Sequence, residues 1–170
     1  MSSNIRWHGS DLSFDERCRL QQQRPMTIWF TGLSGAGKST LAFALEQRLV
    51  ADKHAAFVLD GDNVRHGLCA ELDFSAGARS ENIRRVAEVA KLLNNAGLVS
   101  ICSLISPFFR DREIAKQIIG EDRFLEVHVS TSLAECERRD VKGLYAKARA
   151  GKLVDFTGVD MTYEVPVAPD

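Results

Sequence analysis

A glycine-rich stretch at residues 32–39 carries the clearest chemical signal in this chain. It reads Gly-Leu-Ser-Gly-Ala-Gly-Lys-Ser and matches the pattern G-x-x-x-x-G-K-[ST]. The glycines let successive backbone N–H groups point inward at phosphate oxygens, and the following helix adds the positive end of its dipole. Lys38 supplies a mobile cation for the β- and γ-phosphates, and the Ser39 hydroxyl suits Mg²⁺. This P-loop motif predicts a site for a purine nucleoside triphosphate with magnesium.

Two acidic residues, Asp60 and Asp62, flank Gly61 directly after an apolar run at 55–59. A parallel strand there would deliver Asp60 to the ligand crevice beside the phosphate loop, and Gly61 would let Asp62 turn toward it too. Two carboxylates beside a triphosphate suggest magnesium ligation and a base for an incoming hydroxyl. The alternative is a solvated Asp-Gly-Asp turn. The apolar run at 98–104 ends without a carboxylate, so the acid beside magnesium must come from elsewhere.

Basic residues cluster in two parts of the chain. One group is a set of arginines that follow the acidic turn: Arg65, Arg79, Arg84 and Arg85. The other is the segment 138–152, which has six Lys or Arg residues against one Asp and two glycines, Gly143 and Gly151, as hinges. A mobile basic segment suits a lid that closes over phosphates and excludes water. A single Lys or Arg of this kind is more often a solvated surface charge, so the prediction depends on the clustering.

Short apolar runs alternate with helical stripes, and these elements must position the residues above. Strands are predicted at 26–31, 55–59, 98–104 and 124–129. Helices are predicted at 38–52, 80–95, 110–119 and 132–139. Ser80 is the expected N-cap of the second helix, and Gly97 the expected C-terminal cap. The alternation predicts an α/β protein with the three-layer P-loop NTPase fold, a central parallel sheet with helices on both faces.

Composition limits the class of protein further. With 170 residues, 45% of them hydrophobic and 26% charged, and a net charge of −1, the chain is expected to be one globular domain that binds no nucleic acid over its whole surface. The apolar runs are too short to span a bilayer, and the N-terminus has no apolar signal segment, so no membrane contact is expected. The cysteines lack C-x-x-C spacing, which predicts buried free thiols in a cytoplasmic protein.

Blocks along nearly the whole chain resemble the adenylylsulfate kinase (APS kinase) family of P-loop kinases. They are residues 4–8, 29–40, 59–65, 81–85, 105–107, 142–149, 156–160 and 163–164. The resemblance implies transfer of a phosphoryl group from ATP, with Mg²⁺ as cofactor, to the ribose 3′-hydroxyl of adenosine 5′-phosphosulfate. The products would be ADP and 3′-phosphoadenosine 5′-phosphosulfate, the activated sulfate of assimilation. A homodimer is also implied, with association or fusion to ATP sulfurylase in relatives.

The family pattern implies roles for individual residues. Lys38, Asp62 and Ser106 would be catalytic, and Mg²⁺ would be held by Ser39 and Asp62. ATP would be bound by Gly32, Leu33, Ser34, Gly35, Ala36, Gly37, Lys38, Ser39, Thr40 and Arg139. Adenosine 5′-phosphosulfate would be bound by Asp62, Arg65, Phe74, Arg79, Asn82, Ile105, Ser106, Lys142 and Phe156. Phe74 and Phe156 look like the pair that sandwiches its adenine, with ordinary core packing as the alternative.

The family pattern also sets expectations for the domain and its limits. Residues 1–25 are expected to form a lead-in segment or a short helix outside the core, and residues 26–170 the kinase domain, with its lid around 138–160. Family members continue beyond the Tyr-Glu-x-Pro block, so the domain is expected to be short at its C-terminus. Ala78 and Phe109 also depart from the usual family residues.

Two other functions remain open from the sequence: a nucleotide-binding domain without turnover, and another small-molecule P-loop kinase. The role of Ser106 is open as well. The serine of this block is often described in the family as a phosphoserine intermediate, whereas direct in-line transfer needs no covalent step.

Overall fold

Four short strands form one parallel sheet in the computed structural model, which describes residues 4–170. The strands are β1 (Thr27–Thr31), β2 (Ala56–Asp60), β3 (Val99–Ser103) and β4 (Phe124–His128). Their order across the sheet is β2-β3-β1-β4, with Thr27 beside both Ser100 and Phe124. The α-helices are α1 (Phe14–Gln21), α2 (Lys38–Ala51), α3 (Ala76–Asn95), α4 (Phe109–Ile119), α5 (Leu133–Arg139) and α6 (Leu144–Arg149). Short 3₁₀ turns lie at Asn63–His66 and Glu121–Arg123.

Both faces of the sheet are covered by helices, as alternate residues of β1 show. Ile28 and Phe30 belong to a buried cluster with Ala42 of α2. Trp29 belongs to a second cluster with Val86 of α3 and with residues of α4. Because side chains alternate across a strand, α2 lies on one face and α3 with α4 on the other. The predicted three-layer α/β fold with a central parallel sheet is confirmed.

The predicted strands match within one residue at each end, but the start of α3 differs from the prediction. The helix begins at Ala76, and its N-cap is Ser75, whose side chain accepts a hydrogen bond from the Ala78 N–H. The predicted cap at Ser80 is therefore wrong. Ser80 lies inside the helix, where its hydroxyl donates to Asp111 over 2.8 Å. The apolar stripe begins only at Ile83 because the first turns of the helix place the polar residues Arg79 and Asn82 at the cavity, so periodicity alone places the start too late.

The lead-in segment contains a short helix, α1, which begins after a capping box formed by Ser13 and Glu16. Of its residues only Cys18 is buried, which agrees with a helix outside the main core. All four cysteines are free and buried, as predicted. Within residues 4–170, no helix is both long enough and apolar enough to cross a membrane.

A buried polar cluster holds the end of the sheet opposite the phosphate loop. The Thr27 hydroxyl lies 2.8 Å from Asn94 Oδ1 and 2.7 Å from the Ser100 hydroxyl. Asn94 is fully buried, and its Nδ2 donates to the Leu98 carbonyl over 3.0 Å. The side chain of Asn94 thus joins α3 to β1 and to the start of β3, which fixes the helix that carries two predicted site residues.

Replacing Asn94 by Ala should lower the free energy of unfolding by about 2 kcal/mol, because the Leu98 carbonyl and the Thr27 hydroxyl would lose a partner in a buried place. The neighbouring Asn95 is exposed and bonds only to Arg123 among the contacts described, so Asn95→Ala should change it by less than about 0.5 kcal/mol. Urea denaturation with equal m-values measures both. Equal losses for the two variants would contradict the structural role of the cluster.

Candidate active site

The phosphate loop connects the C-terminal end of β1 to the first turn of α2, and two of its glycines are required by geometry. Gly32 has φ +150°, and a Cβ there would lie 2.7 Å from the Val129 carbonyl oxygen. Gly37 is the N-cap of α2 with φ +108°, a conformation that L side chains rarely adopt. The loop therefore opens directly onto the helix N-terminus, where backbone N–H groups and the helix dipole favour an anion.

Lys38 lies buried beneath this loop. Its Nζ donates to the carbonyl oxygens of Gly32 and Leu33, over 2.9 and 2.8 Å. Burial lowers the pKa of Lys38 to about 8, against the opposing attraction of Cys136 and Asp60. The ammonium group thus spans the loop and has only neutral carbonyl partners, so an anion at this place would gain a strong charge-assisted contact.

Asp60 holds the hydroxyl of Ser39. The Ser39 Oγ donates to Asp60 Oδ2 over 2.6 Å and lies 3.3 Å from the Ser103 hydroxyl at the end of β3. The other oxygen of Asp60 accepts from the backbone N–H groups of Asp62 and Asn63. The sequence predicts Asp60 at the crevice from its position at a strand end, although the family pattern assigns Mg²⁺ to Ser39 and Asp62. The structure places Asp60 as the carboxylate bonded to Ser39.

A cavity of about 390 Å³ opens between the phosphate loop, the acidic turn, α3 and the basic segment. Most predicted site residues line it: Ser34, Gly35, Gly37, Lys38, Ser39, Thr40, Asp62, Arg65, Phe74, Arg79, Asn82, Ile105, Ser106, Lys142 and Phe156. Four predicted ATP-binding residues do not: Gly32, Leu33, Ala36 and Arg139. Arg139 instead pairs with Glu135 over 2.7 Å on α5. The sequence motifs and the family resemblance together predict most of the cavity lining, including Asp60 at the crevice, but not Ser103 or the apolar residues of the basic segment.

The wall formed by α3 presents polar groups beside the acidic turn. The guanidinium of Arg79 is held by the carbonyls of Phe74 and Asp155, each over 2.8 Å. Asn82 is buried, and its Nδ2 has no hydrogen-bond partner among the described residues. A buried donor without a partner is costly, so this amide favours a ligand that brings an acceptor. Arg65 lies on the same side and donates to the carbonyls of residues 72 and 73.

The two predicted stacking rings differ in their surroundings. Phe74 is 54% exposed, and the Arg65 guanidinium lies 4.4 Å from its ring centroid. Phe156 is buried, and it meets the ring of Tyr145 edge-on at 4.9 Å. Both rings line the cavity, but Phe156 is anchored in packing while Phe74 is free to adjust. Their use as an adenine sandwich stays a prediction.

The basic segment carries a small apolar cluster of its own. Tyr145 and Ala148 of α6 pack with Phe156, Cys136 and the loop residue Ala36. The Tyr145 hydroxyl donates to the Ser34 carbonyl over 2.9 Å, so the segment is attached to the phosphate loop. The expected hinges Gly143 and Gly151 have φ values of +64° and +68°. Helix α6, which begins directly after the first of them, was not predicted.

Lys142, in the turn before α6, forms an ion pair with Asp62 across the mouth of the cavity. Both side chains are more than half exposed, so this contact is weak in energy and easily broken. It nevertheless brings the basic segment onto the acidic turn. In this arrangement a cation and an anion that both face the cavity neutralise one another.

Ser106 follows β3 and forms part of the cavity wall before α4. It is 2% exposed, its φ is +39°, and its Oγ accepts a hydrogen bond from the Trp29 indole over 3.1 Å. The preceding carbonyl, of Ile105, accepts from the Thr31 hydroxyl over 2.8 Å. The hydroxyl of Ser106 is thus bonded to the buried Trp29, while the backbone of Ser106 forms part of the cavity wall.

Comparisons with known proteins agree on one family. The family model for adenylylsulphate kinase matches residues 24–170. The adenylyl-sulfate kinase of Aeromonas salmonicida is 56% identical over 168 residues, which cover 99% of this chain and 86% of that protein. That of Pseudomonas entomophila is 56% identical over 98% of this chain and 80% of its own length.

A solved structure extends the agreement to three dimensions. The APS kinase of Mycobacterium tuberculosis, in complex with AMPPNP and APS, superimposes with a TM-score of 0.84 at 49% identity and covers 86% of each chain. The resemblance inferred from the sequence blocks is confirmed, and other classes of small-molecule kinase are disfavoured. The chain, whose phosphate loop and polar wall enclose one shared cavity, belongs to the adenylylsulfate kinase family.

Proposed function

We propose that this chain transfers the γ-phosphoryl group of ATP to the ribose 3′-hydroxyl of adenosine 5′-phosphosulfate, giving ADP and 3′-phosphoadenosine 5′-phosphosulfate. The observation that carries the proposal is the single cavity in which the phosphate loop, Asp62 and the unpartnered amide of Asn82 meet. The relative from Mycobacterium tuberculosis has been solved with AMPPNP and APS together. That combination supports a donor and an acceptor nucleotide side by side.

The donor triphosphate would lie on the phosphate loop at the N-terminus of α2. Lys38 would leave the Gly32 and Leu33 carbonyls and contact the β- and γ-phosphates, since charged phosphate oxygens are stronger acceptors than neutral carbonyls. The backbone N–H groups of residues 35–39 would serve as donors there, that of Ala36 after leaving the Leu33 carbonyl to which it donates over 3.2 Å. Preorganised donors of this kind stabilise the charge that develops during transfer.

The donor atoms near Ser39 fit Mg²⁺, which prefers oxygen ligands and retains several waters. The Ser39 hydroxyl and the Asp60 carboxylate already lie within hydrogen-bond distance of one another, and Asp62 lines the same cavity. We therefore propose Ser39 and Asp60, with Asp62 close by, as the residues that hold Mg²⁺. When bound at these residues, the ion would supply positive charge that neutralises the phosphates.

Asp62 is the proposed base and orienting group for the acceptor. Its carboxylate would accept the proton of the 3′-hydroxyl as the 3′-oxygen forms its bond to the γ-phosphorus and the bond to the ADP oxygen breaks. This role requires Lys142 to release Asp62, and the released ammonium would be free to approach the phosphates. Lys142 belongs to the proposed lid, residues 138–160. Closure of the lid over the phosphates would therefore accompany the release of Asp62.

The acceptor nucleotide would be held by the wall that α3 provides. Arg79 and Asn82 offer donors from buried positions, Arg65 adds a positive charge nearby, and Phe74 and Phe156 offer aromatic faces for adenine. Ile105 and Ser106 would contact the same ligand from the segment between β3 and α4. Arg139, on α5 outside the cavity, would approach the base of ATP.

The remaining expectations belong to the same proposal. Residues 26–170 would act as one kinase domain, preceded by the lead-in segment 1–25. The protein would act in the cytoplasm as a homodimer, with ATP sulfurylase as an associated or fused partner in relatives. A domain that binds nucleotides without turnover is the competing function, and the assay below separates the two.

The proposed function predicts release of ADP from ATP that depends on adenosine 5′-phosphosulfate, and not on gluconate or nucleosides. A coupled ADP assay with Mg²⁺ measures it. Lys38→Ala should lower kcat/KM by about 10²-fold or more, because a cation on the transferred phosphates is lost. No ADP release above background with the sulfated nucleotide, while an ATP analogue still binds, would establish the binding-only function instead.

Asp62→Asn should lower kcat by about 10²–10⁴-fold while acceptor binding stays within about threefold, since the amide keeps the shape but cannot take a proton. The control is Asp52→Asn, which removes an exposed charge paired with Arg48 at the opposite end of α2. Steady-state kinetics of both variants gives the comparison. An Asp62→Asn enzyme with more than a third of the normal kcat would exclude Asp62 as the base.

The pKa of Lys38 predicts proton uptake when ATP binds. With a pKa of about 8 in the free protein, Lys38 is charged at pH 7 and mostly neutral at pH 9. Bound phosphate favours the charged form, so binding at pH 9 should take up close to one proton and binding at pH 7 almost none from this group. Above pH 8 the affinity should then fall by up to about tenfold per pH unit.

Calorimetry with a non-hydrolysable ATP analogue, in buffers of different ionisation enthalpy, measures this uptake. Lys38→Arg is the control, because a guanidinium stays charged throughout this range. The same proton uptake in both proteins would show that another group is responsible.

Replacing Ser106 by Ala should lower turnover by about tenfold at most, because its hydroxyl is bonded to Trp29 and the backbone that shapes the cavity remains. A phosphoserine intermediate requires far more, about 10³-fold or greater, since the nucleophile would be missing. Turnover rates and rapid-quench trapping of phosphate on the protein distinguish the two. Labelled wild-type protein together with an inactive variant would establish the covalent route.

A further inference from the structure

We infer that Arg112 is a positioning residue that fixes segment 105–107, the part of the cavity wall between β3 and α4, in its acceptor-binding conformation. Arg112 lies on α4 and does not line the cavity, so it acts only through the backbone of that segment. The inference rests on the proposed function, in which Ile105 and Ser106 contact the acceptor nucleotide.

Every carbonyl of segment 105–107 has a fixed donor. The Ile105 carbonyl accepts from the Thr31 hydroxyl, and the Pro107 carbonyl accepts from the Glu164 N–H over 2.8 Å. The Ser106 carbonyl, between them, accepts from a terminal nitrogen of Arg112 over 2.9 Å. Three separate parts of the chain thus hold three consecutive peptides. Arg112 makes the shorter contact to the middle carbonyl, and the Thr31 hydroxyl adds a longer one over 3.4 Å.

The conformation at Ser106 explains why such a hold is needed. Its φ of +39° lies in the left-handed region, which costs free energy for a residue with a Cβ and persists only where the surroundings impose it. The imposed contacts are the Arg112 and Thr31 bonds to its carbonyl, over 2.9 and 3.4 Å, and the Trp29 bond to its hydroxyl. Without Arg112 the segment would relax toward negative φ, and the cavity wall formed by Ile105 and Ser106 would move.

The side chain of Arg112 is itself fixed by burial and by two further partners. Its side chain is 1% exposed and bonds the carbonyl of Glu164 over 2.9 Å, and its Nε lies 2.6 Å from a carboxylate oxygen of Glu126 on β4. The Nε–H does not point along that line, so the contact is an ion pair and not a hydrogen bond. A buried cation stays charged only with a partner of opposite charge, which assigns Glu126 to this role. The planar guanidinium is the group that can meet three partners in fixed directions at once.

The donor side is held by other contacts. The phosphate loop is fixed by Lys38, by the Thr131 hydroxyl on the Ala36 carbonyl, and by Tyr145 on the Ser34 carbonyl. The Arg112 cluster meets the start of the loop, where the Thr31 hydroxyl and the Gly32 N–H both donate to the Ile105 carbonyl. Loss of Arg112 should therefore weaken use of the acceptor much more than binding of ATP.

The test is Arg112→Lys, which keeps the positive charge but replaces the planar fork with a single ammonium group. The KM for adenosine 5′-phosphosulfate should rise at least tenfold, while the KM for ATP stays within threefold. A purely structural role would reduce the amount of active protein, which lowers kcat and leaves both KM values unchanged. Arg110→Lys, exposed on the same helix, is the matched control and should retain both KM values.

Glu126→Gln carries the same test if Arg112→Lys does not fold. It leaves Arg112 in place with a neutral partner and should raise the KM for the acceptor by three- to tenfold. Folded variants whose KM for the acceptor stays within twofold of the wild-type value would overturn the inference.

Fluorescence gives a readout that does not depend on the proposed reaction. The chain has two tryptophans, the 92% exposed Trp7 and the buried Trp29, so Trp7→Phe leaves an indole bonded to Ser106 as the sole reporter. In that background Arg112→Lys should raise acrylamide quenching of Trp29 at least twofold. Unchanged quenching would overturn the positioning role of Arg112, whether or not the protein is active toward the sulfated nucleotide. A lack of that activity, taken alone, would overturn only the proposed function.

Discussion

Parallel pairing of β2, β3 and β1 is the constraint on which the site depends. Because the three strands run in one direction, their carboxyl ends meet at one edge, which brings Asp60, Ser103 and Thr31 together from distant parts of the sequence. Asp60 binds the hydroxyl of Ser39, and Thr31 binds the carbonyl of Ile105. The first contact fixes the phosphate loop, and the second fixes segment 105–107 of the cavity wall. A change of strand order would separate the donor and acceptor sides of the cavity.

Around this edge, the charged side chains already have hydrogen-bond or ion-pair partners in the protein without ligands. Lys38 bonds carbonyls of its own loop, and Lys142 pairs with Asp62. Nucleotide phosphates would exchange these contacts for stronger ones, so binding has to break existing bonds and does not simply fill an empty space. Lys38 is buried, which lowers its pKa, whereas the Lys142–Asp62 pair is exposed. The two exchanges of contacts therefore differ in their free-energy cost. Exchange at the exposed Lys142–Asp62 pair should cost less free energy than exchange at the buried Lys38.

Sequence patterns predicted the strands and the phosphate loop because each is encoded locally, by an apolar run or by glycine and lysine spacing. Ser80 shows where this reasoning failed: the polar first turns of α3 face the cavity, so the apolar stripe begins later than the helix itself. Helix α6 was missed for a similar reason, since its apolar residues pack on Ala36 and Phe156 and not on the sheet. The family resemblance identified Phe74, Arg79 and Asn82, and the structure brings all three to the cavity. Their spacing alone did not predict it.

Arg112 had no signal of its own in the sequence, because an arginine on a charged amphipathic helix is usually a solvated side chain. Its importance comes from partners 14 and 52 residues away, Glu126 and Glu164, and from a strained backbone that only three-dimensional structure reveals. Residues that touch a ligand are often marked by their chemistry, whereas residues that hold those residues in place are marked only by burial and by the geometry of their contacts. In this chain the acceptor wall is of the second kind: its shape depends on a side chain that lies outside the cavity and is hidden from solvent.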